Sequence, residues 1–472
     1  MKKIRPVEYF IYLLFFLICI YTILKNKHFT TVEISTNFIL FSFFIKIISG
    51  ITLWYIFTYY YTENTVSDIY KYFEDGKHLA LIFKQSPIDF FKILKGEIPK
   101  NTQILSNYYE MKFWIKPNSY GIYNDNQTII ILSSILNLIT NNHLILSVLY
   151  ISSISFFTTL ILFKTLASYL QWKKLFFILL FFLPSIALWT SSLLKETITF
   201  CSLAVLIYFG NKLIYTLNLK NLIGFIIGGL ALLISKTYLL GFITPSILCI
   251  LFIKILKTVK IKLIFILSYT LIIFIVISWS INHNPITYNF NNKTKVEKKK
   301  EYDRVNQISY KKNVLGTNYN LLEMLRFKQA DYKFEARLAH AKSLVNTKKL
   351  DGQLSNFFLC LPYGLSNGFS RPHIFEINSI ITIYPALENL LFIVLFVALF
   401  IFPRKLNSNQ QLIIFSLGTF IVITYIFLGL LVPVLGNLVR YKAPLLPLLF
   451  FCLLTMIDKS KALNFYHKYR RK

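Results

Sequence analysis

The sequence predicts an all-α protein: a polytopic transmembrane bundle of about 11–12 spans with two large extramembrane loops, given roughly 20 apolar residues per crossing. Three observations predict it. Hydrophobic residues make up 55% of the 472 and charged residues only 15%, against about 25% in soluble domains. The mean hydropathy is +0.55. The apolar residues also come in long uninterrupted runs, not in the ten-residue alternation of a membrane β-barrel.

The runs can be taken in order. Tyr9–Leu24 is the first span, retained because no small-residue cleavage site follows it. Asn37–Tyr60 is the second, closed by the aromatic belt Thr58–Tyr61. A polar loop covers residues 62–127. Thr128–Thr140 is apolar but short, so it is either a short span or a re-entrant piece. His143–Phe163 is a clear span. The apolar run from about Leu175 to Gly210 is too long for one crossing and must turn between Pro184 and Ser192. Leu222–Ile234, Tyr238–Ile253 and Leu263–Ser280 follow. A second polar loop covers 281–379, with a charge run at Lys293–Glu301 and a helix at Tyr319–Val345. Ile380–Phe402, Gln411–Val432 and Tyr441–Met456 close a single membrane domain, residues 1–472.

Short connections rich in lysine orient such a chain. Lys164/Lys173/Lys174, Asn211–Lys220, Lys254–Lys262, Arg404/Lys405 and the tail all fall on one side, read as cytoplasmic. The sequence therefore places the C-terminus in the cytoplasm. The side of loop 62–127 depends on whether Thr128–Thr140 spans. The net charge of +30 belongs to these connections and to lipid headgroups, so the bilayer is the expected partner and nucleic acid is not. The five cysteines form no CxxC or Cys/His cluster, so neither a disulfide framework nor a structural zinc site is expected.

Four polar groups interrupt this pattern. In Ser67–Ala80 the carboxylates Asp68, Glu74 and Asp75 could serve as a general base or hold a divalent cation at Asp68/Asp75; Ser67 or Asp68 also reads as a helix cap. Ser192, Lys195, Glu196 and Thr199 fall at i, i+3, i+4 and i+7, one polar stripe on a helix. Adjacent residues point about 100° apart, so Lys195 and Glu196 should each seek a separate partner. In Leu365–Asn389, Arg371, His373, Glu376 and Asn378 precede a span. Glu388 lies inside that span and needs a cation, for which Lys195 is on offer. In Val434–Pro447, Gly436 and Asn437 make a turn before Arg440 and Lys442. Interface anchoring remains the plainer reading of the arginines.

Taken together, Pro184, Ser185, Trp189, Ser191, Lys195 and Glu196, then Arg371, Pro372, Glu376, Asn378, Glu388 and Asn389, then Gly436, Asn437 and Arg440 resemble a pattern in uncharacterised polytopic proteins of bacterial envelope and exopolysaccharide systems. More loosely, the chain resembles O-antigen polymerases and integral-membrane glycosyltransferases of the C superfamily. The resemblance implies glycosyl transfer or glycan polymerisation from a polyprenyl-phosphate-linked glycan at the outer face of a bacterial inner membrane; apart from the divalent cation considered at Asp68/Asp75, no cofactor is expected. It makes Asp68 the match to the superfamily's loop-one acid, although two spans precede that loop here where one is usual. Asp68 and Glu376 are then the catalytic candidates and Lys195, Arg371 and Arg440 the phosphate ligands, supported by Glu196, Glu388, Asn378 and Asn437. The alternatives are a transporter or flippase for lipid-linked sugars, which would be expected to carry an internal repeat that the sequence lacks, and a non-catalytic assembly partner.

Overall fold

In a computed structural model of the chain, the described residues are 6–25, 33–60, 67–114, 125–256, 321–338, 341, 343–377 and 380–470. The expected span Leu263–Ser280, the charge run Lys293–Glu301 and Asn378 lie outside them. Every named element is helical. Two isolated antiparallel bridges, Leu344 with Val434 and Pro403 with Ile457, are the extended pairings among the described residues.

The chain begins with α1 (Pro6–Lys25) and α2 (Thr36–Tyr55, continued by a wider turn to Tyr60). Then come α3 (Asp68–Gln85), α4 (Pro87–Leu94), α5 (Thr102–Glu110) and α6 (Asn126–Thr140). The centre is α7 (Leu144–Ala167), α8 (Lys173–Phe182), α9 (Pro184–Trp189), α10 (Lys195–Tyr215), α11 (Leu219–Ser235) and α12 (Thr237–Leu256). After the second loop come α13 (Leu321–Leu338), α14 (Leu354–Ser370), α15 (Ile380–Ile401), α16 (Ser408–Leu431), α17 (Leu435–Lys442), α18 (Leu446–Met456) and α19 (Lys459–Arg470).

Among the described residues five helices are long and apolar enough to cross a membrane alone: Thr36–Tyr60, Leu144–Ala167, Lys195–Tyr215, Thr382–Ile401 and Ser408–Leu431. The pair α17 and α18 qualifies jointly across a 63° bend. The helices Phe10–Lys25, Asn126–Thr140, Leu219–Ser235 and Thr237–Ile247 are apolar but shorter. The protein is thus a multi-pass helical membrane protein.

Contacts sort the connections into two ends. At one, Tyr169 pairs with Asn211 and Tyr215, Arg404 reaches the carbonyls of Tyr169 and Thr455, and Trp172 donates to the Ile457 carbonyl. Glu33 meets Lys173 there as well. Four of the five lysine-rich stretches of the sequence meet here, while Lys254–Lys262 lies mostly outside the described residues; we call this the basic end. The opposite end holds Asp68, Glu196 and Arg440 and is called the site end.

The short apolar stretch Thr128–Thr140 does not join the two ends. α7 runs parallel to α10, since Thr158 meets Cys201 and Tyr169 meets Asn211, so Leu144 starts at the site end. α6 begins beside Lys195 at Asp125 and ends four residues before that start. It packs on α3, where Gly76 lies against Ser133 and the Asn137 amide donates to the Phe73 carbonyl at 3.1 Å. Loop one and α6 therefore form a helical cap over the site end.

Small residues set the other close crossings. Gly364 and Gly368 of α14 face Gly429 and the Tyr425 backbone of α16; Gly224 and Gly228 of α11 face Phe209 and Leu206 of α10. Where apolar side chains gain little over lipid, such close backbone approach supplies the packing. The expected turn at Gly436 and Asn437 is not found: both sit in the first turn of α17, with open space around Gly436, and the bend lies after Lys442. A β-carbon at position 368 would strike the Tyr425 backbone. Gly368→Ala should therefore lower the unfolding midpoint by an amount equivalent to about 1–3 kcal/mol of overpacking, whereas Gly436→Ala should be neutral or raise it by up to about 1 kcal/mol. Fluorescence-detected size exclusion after graded heating measures both; equal effects would overturn this account of the crossing.

Candidate functional site

The site begins with a backbone break. Pro184 lacks an N–H and starts α9, which ends at Trp189; residues 190–194 are not helical, and α10 starts at Lys195. Exposed backbone groups inside an apolar bundle must find partners. Ser152 and Ser155 of α7 donate to the Ser191 and Thr190 carbonyls, and Lys46 of α2 donates to the Thr190 hydroxyl at 2.5 Å. At the Pro184 break the Ser185 N–H donates to Glu388 at 2.7 Å. Ser192 thus precedes the helix and does not share a helical stripe with Lys195 and Glu196.

Lys195 and Glu196 do take separate partners. Lys195 meets Asp125 at 2.7 Å, and Asp125 also holds Lys236 at 3.1 Å. Glu196 is 2% exposed and lies 2.9 Å from Arg440 Nε. That ion pair is not aligned as a hydrogen bond, and Glu196 Oε1 has no hydrogen-bond partner among the described residues. Arg440 Nη1 reaches Asp68 at 2.5 Å. With Lys71, 3.8 Å from Asp68, three acids and four cations from α3, the start of α6, α10, α17 and the α11–α12 junction so meet in one network. Trp189, Tyr441 and Tyr72 present ring faces to its cations.

The two outer acids remain ionised at neutral pH. Burial pushes the Asp68 carboxyl up, but the Arg440 guanidinium and the Lys71 ammonium outweigh it and hold the group below the usual carboxylate range. Burial likewise opposes ionisation of Asp125, and Lys236 and Lys195 overcome it, leaving the carboxyl well below its ordinary value. Both side chains keep an open edge, 30% for Asp68 and 38% for Asp125.

The remaining sequence candidates lie elsewhere. The hydrogen-bond partner of Glu388 is the Ser185 backbone amide at the start of α9, not Lys195, and the cation that shares its small cavity is Lys442. Lys442 donates to the Gly368 and Arg371 carbonyls at 3.0 and 2.7 Å, and Asn389 donates to Ser370 and Pro372, so both cap the C-terminus of α14. The Arg371 side chain pairs with Glu376 at 2.7 Å, and Glu376 also accepts from the His373 N–H. The two arginines therefore have separate carboxylate partners, and the link between their segments is Lys442 on the Arg371 carbonyl. Asn437 is exposed on α17.

Asp75 lies two turns from Asp68 but is 3% exposed, and one of its oxygens accepts from both the Phe113 and Trp114 N–H groups at 2.8 Å. No group of three or more His, Cys, Asp or Glu side chains is arranged to hold a metal among the described residues.

Asp125, Lys236 and Lys46 are the residues that sequence reading missed. Each had a signal: an acid just before an apolar helix, a lone lysine between two apolar runs at the end away from the other lysines, and a charge in the middle of a span. No protein-family model, curated protein or solved structure matches this chain.

Two predictions follow from this geometry. Arg440→Gln leaves Glu196 buried without a cation and should cost about 3–5 kcal/mol; Asp68→Asn, at an open edge, should cost far less. Unfolding midpoints of the two variants check the order. The second concerns Asp75, whose carboxyl burial pushes up to about 6 despite the opposing backbone hydrogen bonds. Its folded state binds the proton more tightly than the unfolded state, so its contribution to stability is full below about pH 4 and is lost as pH rises through about 6. Asp75→Asn should raise the midpoint at pH 7.5 and flatten its slope between pH 4.5 and 7; a lowered midpoint at pH 7.5 would mean that the carboxylate's hydrogen bonds outweigh its burial.

Proposed function

We propose that this chain is an integral-membrane transferase that extends or transfers a glycan carried on a polyprenyl phosphate, in bacterial cell-envelope polysaccharide assembly. In this reading the basic end faces the cytoplasm with the C-terminal helix, and the site end faces outward from the inner membrane. The observation that carries it is the meeting of Asp68, from the first loop, with Arg440 and Glu196 beside the Lys195–Asp125–Lys236 cluster. An ionised carboxylate with an open edge can accept the proton of an acceptor hydroxyl, and nearby cations can stabilise a departing phosphate. Asp68 is the proposed base. Lys195 and Arg440 are the proposed phosphate ligands at its side, with Glu196 holding Arg440. Arg371 and Glu376 form a neighbouring pair that would meet the carrier or acceptor.

A second reading, a flippase for lipid-linked sugars, is favoured by one set of observations. The α9–α10 and α17–α18 breaks are discontinuous helices, and Lys46 sits buried about 15 Å along α2, features common at transporter binding sites.

Detergent-solubilised protein separates the two, because a flippase has nothing to move across a micelle. A transferase should form a new glycosidic bond there from lipid-linked donor, and Asp68→Asn should lower that rate by about 100-fold or more while the protein still accumulates. Arg440→Lys should also be strongly impaired, since lysine keeps the charge but loses the planar fork that engages two carboxylates. No bond formation by the wild type, or full activity in Asp68→Asn, would reject the transferase reading.

A further inference from the structure

Two lysines share one carboxylate at the start of α10 and the α11–α12 junction. Lys195 is the first residue of α10 and Lys236 immediately precedes α12. Their side chains are only 12% and 13% exposed, yet they converge on Asp125, one on each carboxylate oxygen at 2.7 and 3.1 Å. The count leaves one positive charge unmatched. The neighbouring acids do not supply the difference, because Asp68 and Glu196 are matched by Arg440 and by Lys71, which lies 3.8 Å from Asp68. The ring centroids of Tyr72 and Tyr441 lie 5.7 and 5.1 Å from the Lys195 and Lys236 ammonium groups. The start of α10 has no side-chain cap, so its first N–H groups add to the positive potential. Two buried cations around a single exchangeable anion is an uncommon burden for a membrane protein, since each buried charge is costly unless matched.

We propose that Lys195 and Lys236 form a phosphate site in which Asp125 is the resident anion, and that the phosphate or pyrophosphate group of the lipid-linked substrate replaces it. This inference rests on the transferase reading for its substrate class, but the site itself stands on the lysine geometry. A phosphate presents three oxygens where the carboxylate presents two, so it can keep both lysine contacts and accept further donors. The extra charge also matches the surplus cation. Asp125 is the most exposed of the three groups, so it can leave without unpacking a helix. In this arrangement Asp125 holds the lysines in place and sets a threshold: only an anion that binds both lysines better than a carboxylate will enter.

The test uses the purified full-length protein in lipid nanodiscs, with inorganic pyrophosphate and undecaprenyl phosphate as separate probes. Dissociation constants and ligand-induced shifts in unfolding midpoint are the readouts. Lys236→Gln leaves a neutral Lys195–Asp125 pair and should fold; it should bind both probes at least about 10-fold more weakly. Asp125→Asn removes the resident anion and should bind both several-fold more tightly, with a larger stabilisation by ligand than in the wild type. Lys212→Gln, at the basic end, is the control and should change neither value. Weakening seen with undecaprenyl phosphate alone still supports the site and assigns its ligand to the lipid carrier; weakening with both probes shows that the headgroup suffices. Affinities within twofold of wild type in both Lys236→Gln and Asp125→Asn, with normal midpoints, would overturn the proposal. The outcomes also separate from the transferase reading. Lysine-dependent binding without glycosidic-bond formation would keep the site and reject the enzyme. Bond formation with lysine-independent binding would do the reverse.

Discussion

Arg440 is the contact on which the site end depends. Its guanidinium joins Asp68, 372 positions earlier in the chain, to Glu196 on α10. Glu196 is nearly inaccessible to solvent, so without the arginine a bare carboxylate would sit in an apolar interior. Asp68 starts α3, and α3 carries the cap through its packing on α6. One side chain therefore fixes where the cap sits relative to the bundle and where the broken helices α10 and α17 begin and bend. The attraction is strong because the pair is largely desolvated, and for the same reason it is unforgiving of a missing partner.

The second constraint is backbone. The chain breaks helices inside the bundle at Pro184, at residues 190–194, at the end of α14 and between α17 and α18. Each break frees N–H or C=O groups that lipid cannot satisfy. Glu388 takes the Ser185 N–H, Lys442 and Asn389 take the carbonyls at the end of α14, and the α7 serines take the carbonyls of Thr190 and Ser191. A polar motif in a membrane sequence thus has two sources, chemistry and repair of broken helices. Glu388, Asn389 and Lys442 belong to the second group in this structure, while Asp68, Asp125, Lys195 and Lys236 have no broken backbone to serve.

Much of the fold was legible in the sequence because apolar run length and lysine placement are local signals. The basic end assembled from the connections that the lysines marked. The status of Thr128–Thr140 was not legible: its pairing with α3 rests on Gly76 against Ser133 and on Asn137, a tertiary contact across more than 50 residues. The site was legible in part. That Lys195 and Glu196 would look in different directions followed from the helical pitch. Their partners did not follow: Asp125 lies at the end of loop one, where its charge reads as an ordinary loop residue, and Arg440 reads equally well as an interface anchor. The need of Glu388 for partners was readable, but which amide and which cation meet it, Ser185 and Lys442 rather than Lys195, depends on tertiary packing that sequence does not give.

Lys195 and Glu196 are adjacent, and this adjacency couples the two halves of the network. A helix places neighbouring side chains about 100° apart at a fixed rise of about 1.5 Å. The first turn of α10 therefore holds the Asp125–Lys236 cluster and the Arg440–Asp68 cluster at a set separation. A phosphate arriving at the lysines would be fixed in distance from the carboxylate on α3 without any further positioning residue. The same first turn follows the non-helical stretch 190–194, which Lys46, Ser152 and Ser155 hold from inside the bundle. The buried lysine of α2 is thus tied to the ion network through five residues of backbone. The charge at mid-span and the charges at the site end are parts of one support, and the serine-rich face of α7 joins them.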